Sequence, residues 1–159
     1  MRTNIRTGIY IGGLCALWQL TMAWTRWIAN PQLMNLFYLV VLIEIGVLIR
    51  ALKQSAADRS YGQQVWAGTA MSIVAGVFLF FFSLLLTTLL FPNLMNEMKE
   101  VQMQMLREAG KTDTEISVAL SLQTPLIQAL MGVAGTLATG IVASLVIAAF
   151  AHRKGSGSG

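Results

Sequence analysis

Four long apolar segments alternate with polar ones along the chain, and each has about the length needed to cross a lipid bilayer. They are residues 8–29, 33–49, 65–91 and 125–151. Crossing the hydrocarbon core takes about 20 predominantly apolar residues in a helix, and a helix pairs its backbone groups within the segment, as lipid requires. The apolar residues do not alternate with polar ones as they do in membrane-spanning strands. The pattern therefore predicts an all-α integral membrane protein with four transmembrane helices.

The polar connections predict how these helices are arranged. Asn30 and Pro31 form a minimal turn, so the first two helices pair as an antiparallel hairpin, and a short polar loop over residues 50–64 leads to the third. The third segment is longer than a span needs to be, so it must tilt or project past the lipid. Pro92 ends this helix, or it kinks a helix that runs on into the following polar segment. Together these features predict a four-helix antiparallel bundle.

Residues 93–124, between the third and fourth segments, carry a helical pattern of their own. Gly110 is a stop signal for one helix, and Thr112 with Glu115 forms a capping box that starts a second helix, which runs through about Leu122. The first helix has apolar residues spaced four, three and four apart, which is one helical face: Leu94, Met98, Val101 and Met105. We therefore expect a helical hairpin between spans three and four.

Composition supports lipid as the solvent of the apolar segments. Of 159 residues, 55% are hydrophobic and 11% are charged, whereas soluble domains average about 25% charged residues. A small soluble domain leaves much of its surface in water, so it could not hide this apolar content. No basic stripe with interleaved aromatics lies outside the apolar segments, so nucleic acid is not an expected partner. We assign residues 1–154 to one domain and residues 155–159 to a flexible Gly/Ser linker.

The basic residues predict the orientation in the membrane. Cytoplasmic loops carry an excess of Lys and Arg, and in the predicted topology one side of the membrane is richer in them. That side holds Arg2, Arg6, Arg50, Lys53, Arg59, Arg153 and Lys154, whereas the other side holds Arg26, Lys99, Arg107 and Lys111, diluted by five acidic residues. The predicted orientation therefore has both termini in the cytoplasm and the helical hairpin on the opposite side of the membrane.

Five local patterns of Gly, apolar and basic residues give the chain a resemblance to a known family. They fall at residues 6–13, 61–68, 91–93, 109–112 and 140–148. In these patterns the chain resembles the domain-of-unknown-function 4199 family of small bacterial membrane proteins, over nearly its whole length apart from the linker. The resemblance implies four spans, and with the predicted orientation it implies a location in the bacterial cytoplasmic membrane. It implies no activity and no catalytic residues.

Small residues recur at four-residue spacing in three of the four segments. Such stripes let helix backbones approach closely, and van der Waals contact then drives association in lipid. The pattern is equally consistent with packing inside one bundle and with packing against a second copy, and we favour packing inside the chain. The stripes are Gly132, Thr136, Gly140 and Ser144 in the fourth span, Gly68, Ser72 and Gly76 in the third, and Gly8, Gly12 and Ala16 in the first.

Glu44 is the one acidic residue within a predicted span. It lies six residues before Arg50, or about 9 Å below the membrane boundary by helical rise, which is too deep for its short side chain to reach water. Counting inward from the same side places Ser72, Ser144 and Tyr10 at a similar depth, so these residues could form a polar cluster with Glu44. The cluster would serve either as a proton or cation site or as a structural hydrogen-bond network between helices.

We find no phosphate-binding loop, no spaced His/Cys set and no Ser/His/Asp set, so the prediction is a non-enzymatic protein without metal or cofactor. The expected function is self-association, or service as a subunit or scaffold of a larger membrane assembly, with the bilayer and a second copy or another membrane protein as partners. One alternative is a small oligomeric transporter or ion-conducting protein built around Glu44. A weaker one is a sensor whose outer hairpin binds a ligand.

Overall fold

A computed structural model describes the backbone of residues 2–54 and 59–155, and the side chains of all of these except residues 2, 29, 34 and 151–155. This part of the chain is helical apart from short connections and contains no strand, which confirms the all-α prediction. Residues 55–58 of the polar loop and residues 156–159 of the linker lie outside the described residues. Gly155, which was assigned to the linker, ends the last helix. The helices are α1 (Arg2–Trp24), α2 (Leu39–Gln54), α3 (Tyr61–Leu85), α4 (Leu94–Glu108), α5 (Asp113–Ser121) and α6 (Pro125–Gly155).

The helix ends follow from local sequence signals. Ser60 and Gln63 form a capping box at the start of α3, in which the Ser60 backbone N–H donates to Gln63 Oε1 at 3.1 Å. Pro125 begins α6, where its missing N–H costs nothing. Gly110 has a φ of 73°, the left-handed conformation that glycine adopts readily, and it separates α4 from α5. The connection from α1 to α2 contains two short 3₁₀ helices, Trp27–Ala29 and Met34–Tyr38.

The four long helices pack as a ring in the order α1, α3, α6, α2, so α2 and α3 lie diagonally across it. Contacts fix the relative directions of the helices. A Cβ at Gly8 would meet Val74 and one at Gly12 would meet Phe78, so α1 and α3 run parallel; Gly68 lies beside Ser144, so α3 and α6 run antiparallel.

The same kind of contact orients α2. Trp18 Nε1 donates to the carbonyl oxygen of Leu36 at 3.1 Å, and Cys15 Sγ contacts the carbonyl oxygen of Val40 at 3.8 Å. Lower-numbered residues of α1 therefore lie beside higher-numbered residues of the α2 segment, so α1 and α2 run antiparallel. The start of α1, the end of α2, the start of α3 and the end of α6 consequently lie at one end of the bundle, which we call the basic end. The opposite end, which carries α4 and α5, is the hairpin end.

Three helical stretches have the length and apolar character of membrane spans. They are Asn35–Gln54, Tyr61–Leu90 and Pro125–Phe150, with mean hydropathies of 2.0, 2.6 and 2.1. Helix α1 is not among them, because Gly, Tyr, Trp and Gln19 lower the hydropathy of its apolar stretch. The chain is therefore an apolar, all-helical protein with three helices fit to cross a membrane, whereas the sequence predicted four spans.

The third span ends before Pro92, as the sequence predicts, and it does not run on through a kink into the hairpin. Residues Leu86–Leu90 form a π-helical turn, and Phe91 leaves the helix at φ −135°, ψ 71°. Because Pro92 lacks an N–H and restricts the preceding residue to extended conformations, the helix stops and α4 starts anew at Leu94. The third span and the hairpin are thus separate helices.

The predicted hairpin is present as α4 and α5. Leu94 and Val101 are buried, Met98 packs against the same apolar cluster, and Met105 is exposed. The predicted capping box is also present, since the Thr112 backbone N–H donates to Glu115 Oε2 at 3.0 Å and Thr112 Oγ1 accepts from the Glu115 backbone N–H at 3.4 Å. The hairpin is anchored by α4, whereas most of α5 is exposed.

The capping box makes the start of α5 sensitive to acid. Hydrogen bonding to the Thr112 backbone, together with Lys111, lowers the pKa of Glu115 to about 2 from its ordinary value of 4.5. A lowered folded-state pKa stabilises the helix above the ordinary value, and the stabilisation is lost as the pH falls through the folded-state value. We expect the first turn of α5 to fray between about pH 4.5 and 2. An NMR titration of the Glu115 carboxyl measures its pKa. Lys111→Met should move the titration midpoint toward the ordinary value. An unchanged midpoint would contradict the Lys111 contribution.

Candidate functional site

A carboxyl group at the centre of the bundle forms a hydrogen bond with the helix that lies diagonally opposite. Glu44 on α2 has 2% of its surface exposed, and Ser72 on α3 is fully buried. Ser72 Oγ donates to Glu44 Oε1 at 2.9 Å. This hydrogen bond joins two helices that lie diagonally across the bundle and whose apolar side chains meet in the same core.

Two glycines make room for this polar centre. A Cβ at Gly140 of α6 would overlap the Ser72 side chain and lie 3.2 Å from Glu44 Oε1, and a Cβ at Gly68 of α3 would overlap Ser144. Ser144 is fully buried, and its Oγ donates to the Gly140 carbonyl oxygen at 2.6 Å. Glycine therefore allows α3 and α6 to approach closely at the level where the carboxyl group sits.

Of the predicted polar cluster, the structure brings Glu44 and Ser72 into contact and sets Ser144 one helical turn away, next to Gly140. Tyr10 does not join them, because 60% of its surface is exposed. Depth matching does not specify the direction in which the Tyr10 side chain points. Gly8 and Gly12 face α3, and a residue two positions from each lies on the opposite side of the helix.

The small-residue stripes pack largely inside the chain. Along α6, Thr136, Gly140 and Ser144 are buried, whereas Gly132 is exposed and a Cβ there would meet nothing within 4 Å. Gly68, Ser72 and Gly76 of α3 face α6, and Gly8 and Gly12 of α1 face α3, with Ala16 buried in the same core. The stripes that the sequence left open between internal and intermolecular packing are thus used in the structure as internal surfaces.

Gln64 is a buried polar residue, although the sequence predicts that it lies in the polar loop before the third span. It is fully buried in the first turn of α3. The signal that could have found it is its spacing, because it lies four residues before Gly68 and so continues the row formed by Gly68, Ser72 and Gly76. This row places polar groups on the inner face of α3 from its first turn to the middle of the bundle.

The arrangement can do limited chemistry. Within residues 2–54 and 59–155, no group of three or more His, Cys, Asp or Glu side chains is placed to hold a metal ion. Cys15 is a free, buried thiol in the apolar core. The chemically distinctive group is the Glu44 carboxyl, which can bind one proton or donate and accept hydrogen bonds across the bundle.

Comparison with known proteins agrees with the resemblance seen in the sequence. A family model described as "Protein of unknown function (DUF4199)" matches residues 6–153. The chain belongs to the DUF4199 family. No curated protein and no solved structure matches this DUF4199 chain. Membership of the family therefore assigns no activity to the chain.

Proposed function

We propose that this DUF4199 protein is a non-enzymatic, four-span protein of the bacterial cytoplasmic membrane that associates with itself or serves as a subunit or scaffold of a membrane assembly. The single observation that carries the proposal is an apolar groove on the outer face of the bundle. The groove has a volume of about 550 Å³ and lies between α2 and α6. We call it the α2–α6 groove, and its walls include Val41, Ile45, Ile49, Ala138, Val142 and Val146.

Helix α1 is proposed as the fourth span although its hydropathy is lower. Its 23 residues extend about 34 Å at 1.5 Å per residue, enough for a hydrocarbon core of about 30 Å. Two of its glycines face α3 in close contact, and Ile11, Cys15 and Ala16 are buried in the same core as α2 and α3. A helix held between two spans along this length shares their membrane depth.

The charge distribution supports the proposed orientation. Arg6, Arg50, Lys53 and Arg59 all belong to the basic end of the bundle, as do the final turns of α6. An excess of Lys and Arg marks the cytoplasmic side, so both termini are assigned to the cytoplasm. The hairpin of α4 and α5 is then outside.

Self-association is supported by small residues that the bundle leaves uncovered. Gly135 lies on α6 three residues before Ala138, and Gly46 lies on α2 next to Ile45. Both are exposed, and a Cβ at either would meet nothing within 4 Å. Exposed small residues beside an apolar groove allow the close backbone approach that drives helix association in lipid.

Cysteine cross-linking in nanodiscs or native membranes tests this proposal. In a Cys15→Ala background, Val142→Cys in the α2–α6 groove should form a disulfide-linked dimer, because its side chain would face the second copy. The matched control is Ile73→Cys, an exposed position on α3 at nearly the same depth. A strictly monomeric mass, or equal cross-linking at both positions, would contradict self-association through the groove.

A second candidate function, proton or cation transport, is favoured by one observation. Glu44 is a carboxyl group buried on the bundle axis, and ionisable groups inside membrane spans are commonly functional. Four short spans enclose too little interior for a conventional transporter, so this candidate also requires an oligomer. It further requires flux that depends on the Glu44 carboxyl.

A further inference from the structure

A cleft of about 410 Å³ opens at the hairpin end, where the end of α1 meets the start of α4. An ion pair stands at its mouth, with Arg26 Nη1 2.8 Å from Glu97 Oε1. The Arg26 side chain is 75% exposed and the Glu97 side chain 24% exposed. The cleft therefore offers one positive and one negative group side by side, both within reach of a ligand. We call it the Arg26–Glu97 cleft.

The backbone around the cleft is shaped in an uncommon way. Arg26 has φ 55° and ψ 22°, a left-handed conformation that few residues other than glycine adopt. The opposite wall begins at the π-helical turn Leu86–Leu90, and such turns occur frequently at functional sites. Helix α1 ends just before Arg26, and the third span ends just after its π-helical turn, so the cleft lies between these two helix ends and the start of α4.

The remaining walls are apolar on one side and polar on the other. Leu90 and the exposed ring of Trp24, which has 77% of its surface accessible, lie on the side of the spans, whereas Asn93 lies toward the hairpin. Leu89, beside Leu90, is 72% exposed. An apolar surface thus runs from the cleft down the outside of α3, in the direction that an acyl chain would take.

We propose that the Arg26–Glu97 cleft binds a phospholipid with a zwitterionic, amine-bearing headgroup, of the phosphatidylethanolamine type. The Arg26 guanidinium has five N–H donors. One nitrogen binds the Glu97 carboxylate, so the remaining donors can bind the lipid phosphate. The second oxygen of the Glu97 carboxylate accepts from the lipid ammonium. The acyl chains lie on Leu90 and Leu89.

Charge complementarity selects this headgroup. An anionic headgroup without an amine would leave two negative groups, its phosphate and the Glu97 carboxylate, sharing the one positive charge of Arg26. A choline headgroup carries a positive charge but no N–H to donate. The inference rests on the proposed function, because a bundle that spans the membrane has its hairpin end, and with it the cleft, at the height of the lipid headgroups.

Native mass spectrometry of the full chain from detergent micelles tests the site. With equal amounts of phosphatidylethanolamine, phosphatidylcholine and phosphatidylglycerol, we expect about tenfold higher retention of phosphatidylethanolamine than of either competitor, which corresponds to about 1.4 kcal/mol. Arg26→Gln should abolish the preference, whereas the control Lys99→Gln, on α4 outside the cleft, should keep it. Glu97→Gln should shift the preference to phosphatidylglycerol, a reversal that misfolding cannot produce.

Three results would overturn the site. Equal retention of the three lipids, or a preference for phosphatidylglycerol in the unmodified chain, rejects the headgroup assignment. Equally tight binding of water-soluble glycerophosphoethanolamine rejects a lipid as the ligand. A separate measurement tests whether the protein lies in the membrane: brominated phosphatidylcholine in nanodiscs should quench the tryptophan fluorescence. Absence of quenching would reject the membrane proposal, whereas the three results above would reject only the lipid site.

Discussion

Replacing Gly140 with leucine is expected to lower the free energy of unfolding by about 3 kcal/mol, the upper part of the range typical for overpacked interiors. A single Cβ at this position already overlaps the Ser72 side chain and approaches Glu44. A leucine would therefore force α3 and α6 apart at the level of the diagonal hydrogen bond. Reversible unfolding in mixed detergent, followed by circular dichroism, measures the change.

Gly132→Leu is the matched control, since Gly132 lies two turns away on the same helix and a Cβ there meets no neighbour. The control should unfold like the unmodified chain. If Gly140→Leu instead left unfolding unchanged and only dissociated an oligomer, the Gly140 stripe would be an interface between copies. The internal packing of α3 and α6 would then be wrong.

Glu44→Lys should destabilise the protein by about 3 kcal/mol, the cost of placing a lysine at the centre of a span. The ammonium group would replace a carboxyl that accepts from Ser72, and the Ser72 hydroxyl has no negative charge to pair with it. Glu44→Gln keeps the size and the accepting oxygen, so it should cost less than about 1 kcal/mol, the scale of an interhelical hydrogen bond in lipid. The same unfolding measurement compares the two variants.

A tolerated lysine would mean that water reaches position 44, which would favour the transport candidate over the scaffold. Flux assays in liposomes then decide between them. Under the transport candidate, the unmodified protein moves protons or cations and Glu44→Gln does not, because an amide has neither a titratable proton nor a negative charge that could bind a cation. Under the scaffold proposal, neither protein conducts, and both assemble equally well.

The elements that depend on local sequence were the ones that could be predicted. The apolar runs located the long helices, and the Thr112–Glu115 capping box located α5, because each signal is contained within a few turns of chain. Depth counting brought Glu44 and Ser72 together, since rise per residue is nearly constant in a helix. It failed for Tyr10 because depth does not specify the direction in which a side chain points.

Contacts between distant segments could not be predicted in the same way. Arg26 and Glu97 are separated by 71 positions, and nothing near either residue specifies the other. Their pairing depends on where α1 stops and where α4 begins, which are set by a left-handed residue and by Phe91 leaving the helix before Pro92. The Arg26–Glu97 cleft was invisible in the sequence for the same reason.

The diagonal bond between Glu44 and Ser72 has a consequence for biogenesis. During translation α2 is synthesised before α3, so the Glu44 carboxyl group exists before its partner hydroxyl. Holding an unpaired acid in lipid is unfavourable. In the proposed membrane topology, α2 would therefore enter lipid more favourably together with α3, once Ser72 can donate to Glu44.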